Sequence, residues 1–209
     1  MIRIAVTKGR IEKDFYELMK KSGFDVVCIK NKNRKLLVRT NDNIELVFVK
    51  ANDVLTFIEK GIVDIGIVGK DTLEESDFVD YNELLDLNIG KCYFALASFK
   101  EYKEKKFKRR KKIATKYPNI TRKYFRNIGE DVEIIKLEGS VELAPIVGFT
   151  DGIVDLVETG DTLKANGLVV IDRICDISTR LITNKESLRC KTDEIYRMID
   201  KFEKSNSVK

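Results

Sequence analysis

The chain has 209 residues, 43% of them hydrophobic and two of them proline, with no histidine and a formal net charge of +5. Such a chain folds, and its length suits one large domain or two lobes of about 100 residues. The lack of imidazole excludes a histidine base, a Ser-His triad and a histidine-held metal, which leaves catalysis to carboxylates, Lys, Arg, hydroxyls and backbone amides.

The first residues, Met1-Ile2-Arg3-Ile4-Ala5-Val6, are a short apolar run without the cleavage pattern of a signal peptide, and no later stretch approaches the about 18 apolar residues of a membrane span. A cytoplasmic protein off the membrane is expected. The run reads as a strand ending in Thr7-Lys8-Gly9-Arg10, after which Ile11, Phe15, Leu18 and Met19 recur at helical spacing up to Gly23. Phe24 to Ile29, Leu36 to Arg39 and Ile44 to Val49 read as strands, the last two joined by the turn-prone Asn41-Asp42-Asn43. A helix capped by Asn52 or Asp53 follows, with Val54, Leu55 and Ile58 inward and Gly61 past its end.

Val63 to Gly69 is a strand whose inner glycine, Gly66, marks a bulge or close backbone approach, and Gly69-Lys70-Asp71 opens a turn toward a helix. Cys92 to Ser98 is the next strand. Lys100 to Lys112 then holds nine basic and two acidic residues, a local +7, so the rest of the chain carries −2. So confined an excess reads as a solvated linker or strand flank, crossing between lobes, rather than a nucleic-acid face. Lys112 to Ala114 is a strand, and Pro118 suits the first turn of a helix ended by Gly129. Val132 to Lys136 is a strand, Val141 to Val147 a helix, and Gly152 to Val157 a strand. Leu168 to Ile174 and Arg180 to Thr183 are strands, and Ile195, Met198, Ile199 and Phe202 stripe a final helix. The alternation predicts an α/β fold with largely parallel sheets and ligands beyond the carboxyl ends of strands. Cys28, Cys92, Cys175 and Cys190 have no CxxC spacing and read as core thiols.

Three turns are candidates for chemistry. Asp155-Leu156-Val157-Glu158-Thr159-Gly160-Asp161-Thr162-Leu163 delivers two carboxylates and then a hydroxyl-rich turn with one glycine. A phosphate monoester needs convergent N–H and hydroxyl donors, and upstream carboxylates suit ribose hydroxyls. A capped turn with solvated acids has the same pattern. Lys8, Gly9 and Arg10 pair two cations with a glycine, either as a polyphosphate site or as ordinary surface cations beside a turn. Lys70 and Asp71 after Gly69 carry the same two readings, and Glu142 sits at a helix start where an acid complements the dipole.

Gly139-Ser140-Val141-Glu142-Leu143-Ala144-Pro145, continuing from Asp151 through the run to Leu168, resembles the signature region of the ATP phosphoribosyltransferase family of histidine biosynthesis. Lys8-Gly9-Arg10, Asp64 to Asp71 and Ile113-Ala114-Thr115-Lys116-Tyr117-Pro118-Asn119 support it, so the resemblance covers nearly the whole chain. It implies a two-lobed fold similar to type II periplasmic binding proteins, with the substrate cleft between the lobes. Lobe I would be residues 1–90 plus 176–209, and lobe II residues 91–175, carrying the phosphoribosyl-binding loop. The implied reaction joins N1 of ATP to the anomeric carbon of phosphoribosyl pyrophosphate (PRPP), with Mg2+ carried by the substrates and no protein side chain assigned to the metal.

On that resemblance Asp155 faces the ribose, and Glu158, the second carboxylate of the run, is read with it as a catalytic acid. Thr159, Gly160, Asp161, Thr162 and Leu163 hold the 5′-phosphate, and Lys8, Gly9 and Arg10 lie toward the polyphosphate. Lys70, Asp71 and Glu142 complete the substrate contacts. Thr7 departs from a common proline of the family, and the basic stretch from Lys100 to Lys112 has no place in its pattern. With only a polar tail after Phe202, a regulatory domain of the long-form kind is not expected. The resemblance to the short form therefore implies a separate regulatory subunit similar to histidyl-tRNA synthetase, with a homodimer alone and a hetero-octamer with the partner. The rival expectations are a small-anion-binding module of the same fold and a nucleic-acid-binding protein acting through the basic segment.

Overall fold

A computed structural model of the chain describes residues 1–104 and 108–207. In chain order the elements are β1 (Ile2–Thr7), α1 (Arg10–Lys21), α2 (Val27–Lys30), β2 (Leu37–Arg39), β3 (Ile44–Val49), α3 (Ala51–Glu59), β4 (Ile65–Gly69), α4 (Lys70–Glu75) and β5 (Asn82–Asp86). Then come β6 (Cys92–Ser98), a 3-10 turn at Lys100–Lys103, β7 (Lys111–Thr115), α5 (Pro118–Asn127), β8 (Val132–Lys136), α6 (Leu143–Ile146), β9 (Gly152–Val157) and α7 (Asp161–Ala165). The chain closes with β10 (Val169–Ile177), β11 (Thr179–Thr183), α8 (Lys185–Cys190) and α9 (Thr192–Ser207). It divides into two compact units, Met1–Gly90 with Ser178–Lys209, and Lys91–Ile177.

The first unit is built on a sheet of order β2-β3-β1-β4-β11-β5. Alternation along β1 sends Ile2, Ile4 and Val6 to one face, where Phe15 and Met19 of α1 and Ile195 and Phe202 of α9 pack on them. The Phe202 ring stands 5.7 Å from Phe15 and 5.3 Å from Phe24, and each such buried ring contributes roughly 1.5–3 kcal/mol. Ala5 faces the other way, against Val54, Leu55 and Ile58 of α3. Gly66 is the close approach its position promised: a Cβ there would lie 2.7 Å from Val54 Cγ1 and 3.0 Å from Ile182 Cγ1.

The second unit holds the order β10-β6-β9-β7-β8. One face buries Phe94, Ile113, Phe125 and Val154 beneath α5. The other is lined by the small Ala95, Ala97 and Ala114 with Ile153 and Val157, which lets the short α6 and α7 come close through Val141, Ala144 and Leu163.

The α/β class is as expected, but the sheets are mixed rather than largely parallel. Among the described strands β1 runs parallel to β3 and β4, and β7 to β8 and β9, while the other five pairings are antiparallel. The expected strand from Phe24 to Ile29 is instead the turn of α2, because the Asp25 carboxylate accepts from Val27 N at 2.9 Å and from Asn41 Nδ2 at 2.6 Å. Local hydrogen bonding of this kind offers the backbone an alternative to the ladder. The Val141 to Val147 helix shortens to α6, and α3 starts at Ala51, with Lys50 in the capping position. The core-thiol reading fails for Cys175 and Cys190, which are exposed on β10 and at the end of α8.

The basic segment is not the crossing between units, which the chain makes at Gly90–Lys91 and Ile177–Ser178. Both ends of the segment lie in the second unit. Residues 105–107 of it are outside the described residues. The rest flanks β7, where Arg109 grips Asp151 at 2.8 and 3.0 Å, Arg110 meets Asp131 at 2.7 Å and Lys111 meets Glu130 at 2.6 Å.

Candidate active site

β9 runs between β6 and β7 and delivers its carboxyl end to the acid-and-hydroxyl turn. Asp155 lies between Ile153 and Val157 in the alternation, so it shares their apolar face, opposite Ala95 of β6. Burial pushes its carboxyl up, to about 6. The hydrogen bond accepted from Leu156 N at 2.8 Å opposes this, the Glu142 charge adds to it, and Lys116 works against it.

The turn itself is held by local bonds. Gly160 adopts φ +82°, a left-handed conformation that favours glycine. The Thr159 hydroxyl donates to Asp161 Oδ2 at 2.6 Å, and Lys164 N donates to Gly160 O at 3.0 Å. Leu163 anchors the turn in the apolar layer, while the Thr162 side chain is exposed. Glu142, at the start of α6, joins residues 155–163 in lining one cavity of about 270 Å³. The expected residues Glu142, Asp155, Glu158, Thr159, Gly160, Asp161, Thr162 and Leu163 are thus brought together in the second unit.

Lys8, Gly9, Arg10, Lys70 and Asp71 belong to the first unit. Because β1 and β4 are parallel neighbours, their carboxyl ends emerge side by side, tied by Thr7 Oγ1 donating to Ile67 O at 2.9 Å. Lys8 N continues the ladder to Val49 O at 2.9 Å, and Gly9 takes φ +95° before α1. Arg10 Nη2 donates to Gly90 O at 3.1 Å. The Lys70 ammonium stands 2.6 Å from Glu83 and 3.6 Å from Glu74, and although burial works against its charge, these partners hold its pKa above the ordinary value.

Lys116 lies in the Ile113 to Asn119 stretch, where the sequence alone gives it no role. Its signal is positional: it directly follows β7, whose register beside β9 ends at Thr115 and Val154.

Four carboxylates, those of Glu142, Asp155, Glu158 and Asp161, line the cavity. They suit hydroxyl donors such as a ribose diol, and the hydroxyls and N–H groups of the turn suit phosphate oxygens. An anion entering so acidic a cavity requires a cation beside it. No group of three or more metal-ligating Cys, Asp or Glu side chains forms among the described residues. The cavity carboxylates by themselves therefore make no metal site, and a cation there would arrive with its ligand's phosphates. No helix among the described residues is long and apolar enough to cross a membrane.

The family model "HisG: ATP phosphoribosyltransferase" matches residues 50–204. An ATP phosphoribosyltransferase of Lactococcus lactis subsp. cremoris is 57% identical over 207 residues, covering 99% of this chain and 100% of the relative. One of Clostridium kluyveri is 55% identical over 97% of this chain and 92% of the relative. Among solved structures, a chain of the ATP phosphoribosyl transferase (HisG:HisZ) complex from Thermotoga maritima is similar at TM-score 0.80 and 34% identity, over 98% of each chain. The periplasmic aliphatic sulphonate binding protein SsuA from Escherichia coli is similar at TM-score 0.62 and 12% identity, over 99% of this chain and 72% of that one, a likeness of fold.

Proposed function

The chain belongs to the ATP phosphoribosyltransferase family, and we infer from this that it transfers the 5-phosphoribosyl group of PRPP to N1 of ATP, releasing pyrophosphate, as the first step of histidine biosynthesis. The observation that carries the reading at the level of the site is the cavity in which Asp155, Glu158 and the hydroxyl turn meet on one strand end.

Displacement at the anomeric carbon passes through a transition state with positive charge growing on the ribose. The carboxylates of Asp155 and Glu158 are assigned to the ribose hydroxyls and to that charge, where fixed anions act with little reorganisation. Thr159 to Leu163 hold the 5′-phosphate through hydroxyl and backbone donors, and Glu142 closes the cavity wall. Adenine N1 brings its own lone pair, so no general base is required.

In the first unit Lys8 and Arg10, with the backbone of Gly9, are assigned to the polyphosphate charge. The neighbouring Lys70 and Asp71 turn shapes that edge, with the Lys70 ammonium engaged by Glu83. A divalent metal accompanies the substrates in this family. Magnesium, our assignment, would be carried by their phosphate oxygens, and it would neutralise charge on the departing pyrophosphate.

A regulatory subunit similar to histidyl-tRNA synthetase is assigned as partner, with a dimer of this chain alone, a hetero-octamer together, and a cytoplasmic location. The Thermotoga maritima relative, a complex of HisG with HisZ, supports the partner. The deciding experiment mixes the chain and its partner with ATP, PRPP and Mg2+ and looks for the N1-linked adduct by mass spectrometry. Binding of both substrates without adduct would leave only a small-anion-binding module.

A further inference from the structure

We propose that Gly69 is a positioning residue of the first unit's candidate edge: the space left by its missing side chain is where the Asp71 carboxylate is held. The proposal rests on the reading of Asp71 as a substrate contact beside Lys8, Gly9 and Arg10.

Gly69 is not a glycine for the sake of its backbone. It ends β4 at φ −67° and ψ 144°, an extended conformation open to any residue, unlike Gly9 and Gly160 with their positive φ. Nor do packed core side chains keep it small, as they do Gly66. A Cβ at Gly69 would meet Ile11 Cδ1 only at 3.7 Å, an ordinary contact. The obstacle is Asp71: that Cβ would overlap Asp71 Oδ1 and lie 3.3 Å from Asp71 Cγ. The carboxylate of the residue two places on is folded back over the strand end and fills the place of a side chain.

The backbone on both sides is pinned. Gly69 pairs with Thr179 of β11, Lys70 N donates to Ser178 O at 3.0 Å, and Thr72 and Leu73 bury the start of α4. Alternation along β4 puts Gly69 on the face of Ile65 and Ile67, which pack with Phe15 and Leu18 of α1. Ile11, next to Arg10 in the first turn of α1, borders the same space. The Asp71 carboxylate is thereby held on the side of the strand end where α1 begins. Its oxygens can accept from hydroxyl or amino groups of a substrate whose phosphates the neighbouring cations hold, and such an acceptor loses its alignment when the side chain turns. Alanine at position 69 leaves the backbone as it is and drives the carboxylate out of its place.

The test is a double-mutant cycle of Gly69→Ala and Asp71→Ala. Each protein is measured for thermal midpoint, for ATP and PRPP affinity by calorimetry, and for kcat/KM with the partner subunit. Gly69→Ala is expected to keep a midpoint at or above the wild type's, since alanine suits this φ and narrows the unfolded ensemble. Its kcat/KM should fall roughly ten- to a hundredfold, the worth of a hydrogen bond to a charged group. Asp71→Ala should lose as much, and the double variant no more than either, because the added methyl then has no carboxylate to displace. Wild-type kcat/KM in either single variant, additive losses in the double variant, or a midpoint lowered in both Gly69→Ala and the double variant overturns the proposal. A wild type that binds both substrates but forms no N1 adduct overturns the transferase reading, and the same non-additive pattern in the affinities then leaves the positioning standing.

Discussion

Asp155 of β9 faces Ala95 of β6 across an antiparallel pair, so a carboxylate at the edge of an apolar layer has a methyl group where a polar partner would stand. Its folded pKa of about 6 lies above the ordinary carboxylate value. For an acid this means that the folded state binds the proton more tightly than the unfolded chain. Stability therefore falls as pH rises from about 4 to about 6 and is level above, and the ionised group costs ~2–3 kcal/mol at neutral pH. Asp155→Asn should remove that cost. We expect its thermal midpoint to exceed the wild type's at pH 8, the two to converge near pH 4, and turnover to collapse. Thermal melts at both pH values with a turnover assay check this, and full turnover in the variant would remove Asp155 from the chemistry.

Thr162→Ala and Gly160→Val should weaken PRPP binding more than ATP binding. The exposed Thr162 hydroxyl has little structural work to do, and its loss to a charged ligand costs roughly 1.5–3 kcal/mol, about ten- to a hundredfold in affinity. Valine at φ +82° is strained by about 1–2 kcal/mol and distorts the turn as well. Calorimetric titration of each substrate separates the two effects, and unchanged PRPP affinity in both variants would take the turn out of the site.

The Lys70 and Glu83 pair is partly exposed on both sides. In a double-mutant cycle of Lys70→Met and Glu83→Gln, read from urea midpoints, a coupling of about 0.2–1 kcal/mol is expected. Additive effects would show that the ion pair contributes nothing to the fold and would return the Lys70 ammonium to the substrate as its principal partner.

Gly66→Ala places a methyl group against Val54, Ile182 and Ile58, with clearances of 2.7, 3.0 and 3.2 Å, all inside a packed layer. Overpacking of this kind costs about 1–3 kcal/mol. A lowered urea midpoint with unchanged m-value is the expected result, and an unaltered midpoint would mean that α3 and β4 have room to part.

Much of this protein was legible one segment at a time. Period-two runs located β1, β3, β4, β6, β8 and β9, Pro118 and Gly129 bracketed α5, and the order of acids, glycine and threonines from Asp155 to Leu163 marked the turn. These are local properties, set by side-chain alternation and by what each residue allows its own backbone. β5 carries no legible pattern because its half-buried Leu84 and Leu85 sit among acids on an edge strand, without clear alternation, and α2 stands in place of the expected strand because Asp25 finds its partners at Val27 and Asn41. Mixed strand directions, the ion pairing of Lys70 with Glu83 and the neighbours of Asp155 lay beyond any local pattern. Ala95, Lys116 and Glu142 come from positions separated from Asp155 by 60, 39 and 13 residues in the chain. Only the register of β6 and β7 against β9, and the docking of α6 on their alanines, puts them around one carboxyl group and decides how readily it takes a proton.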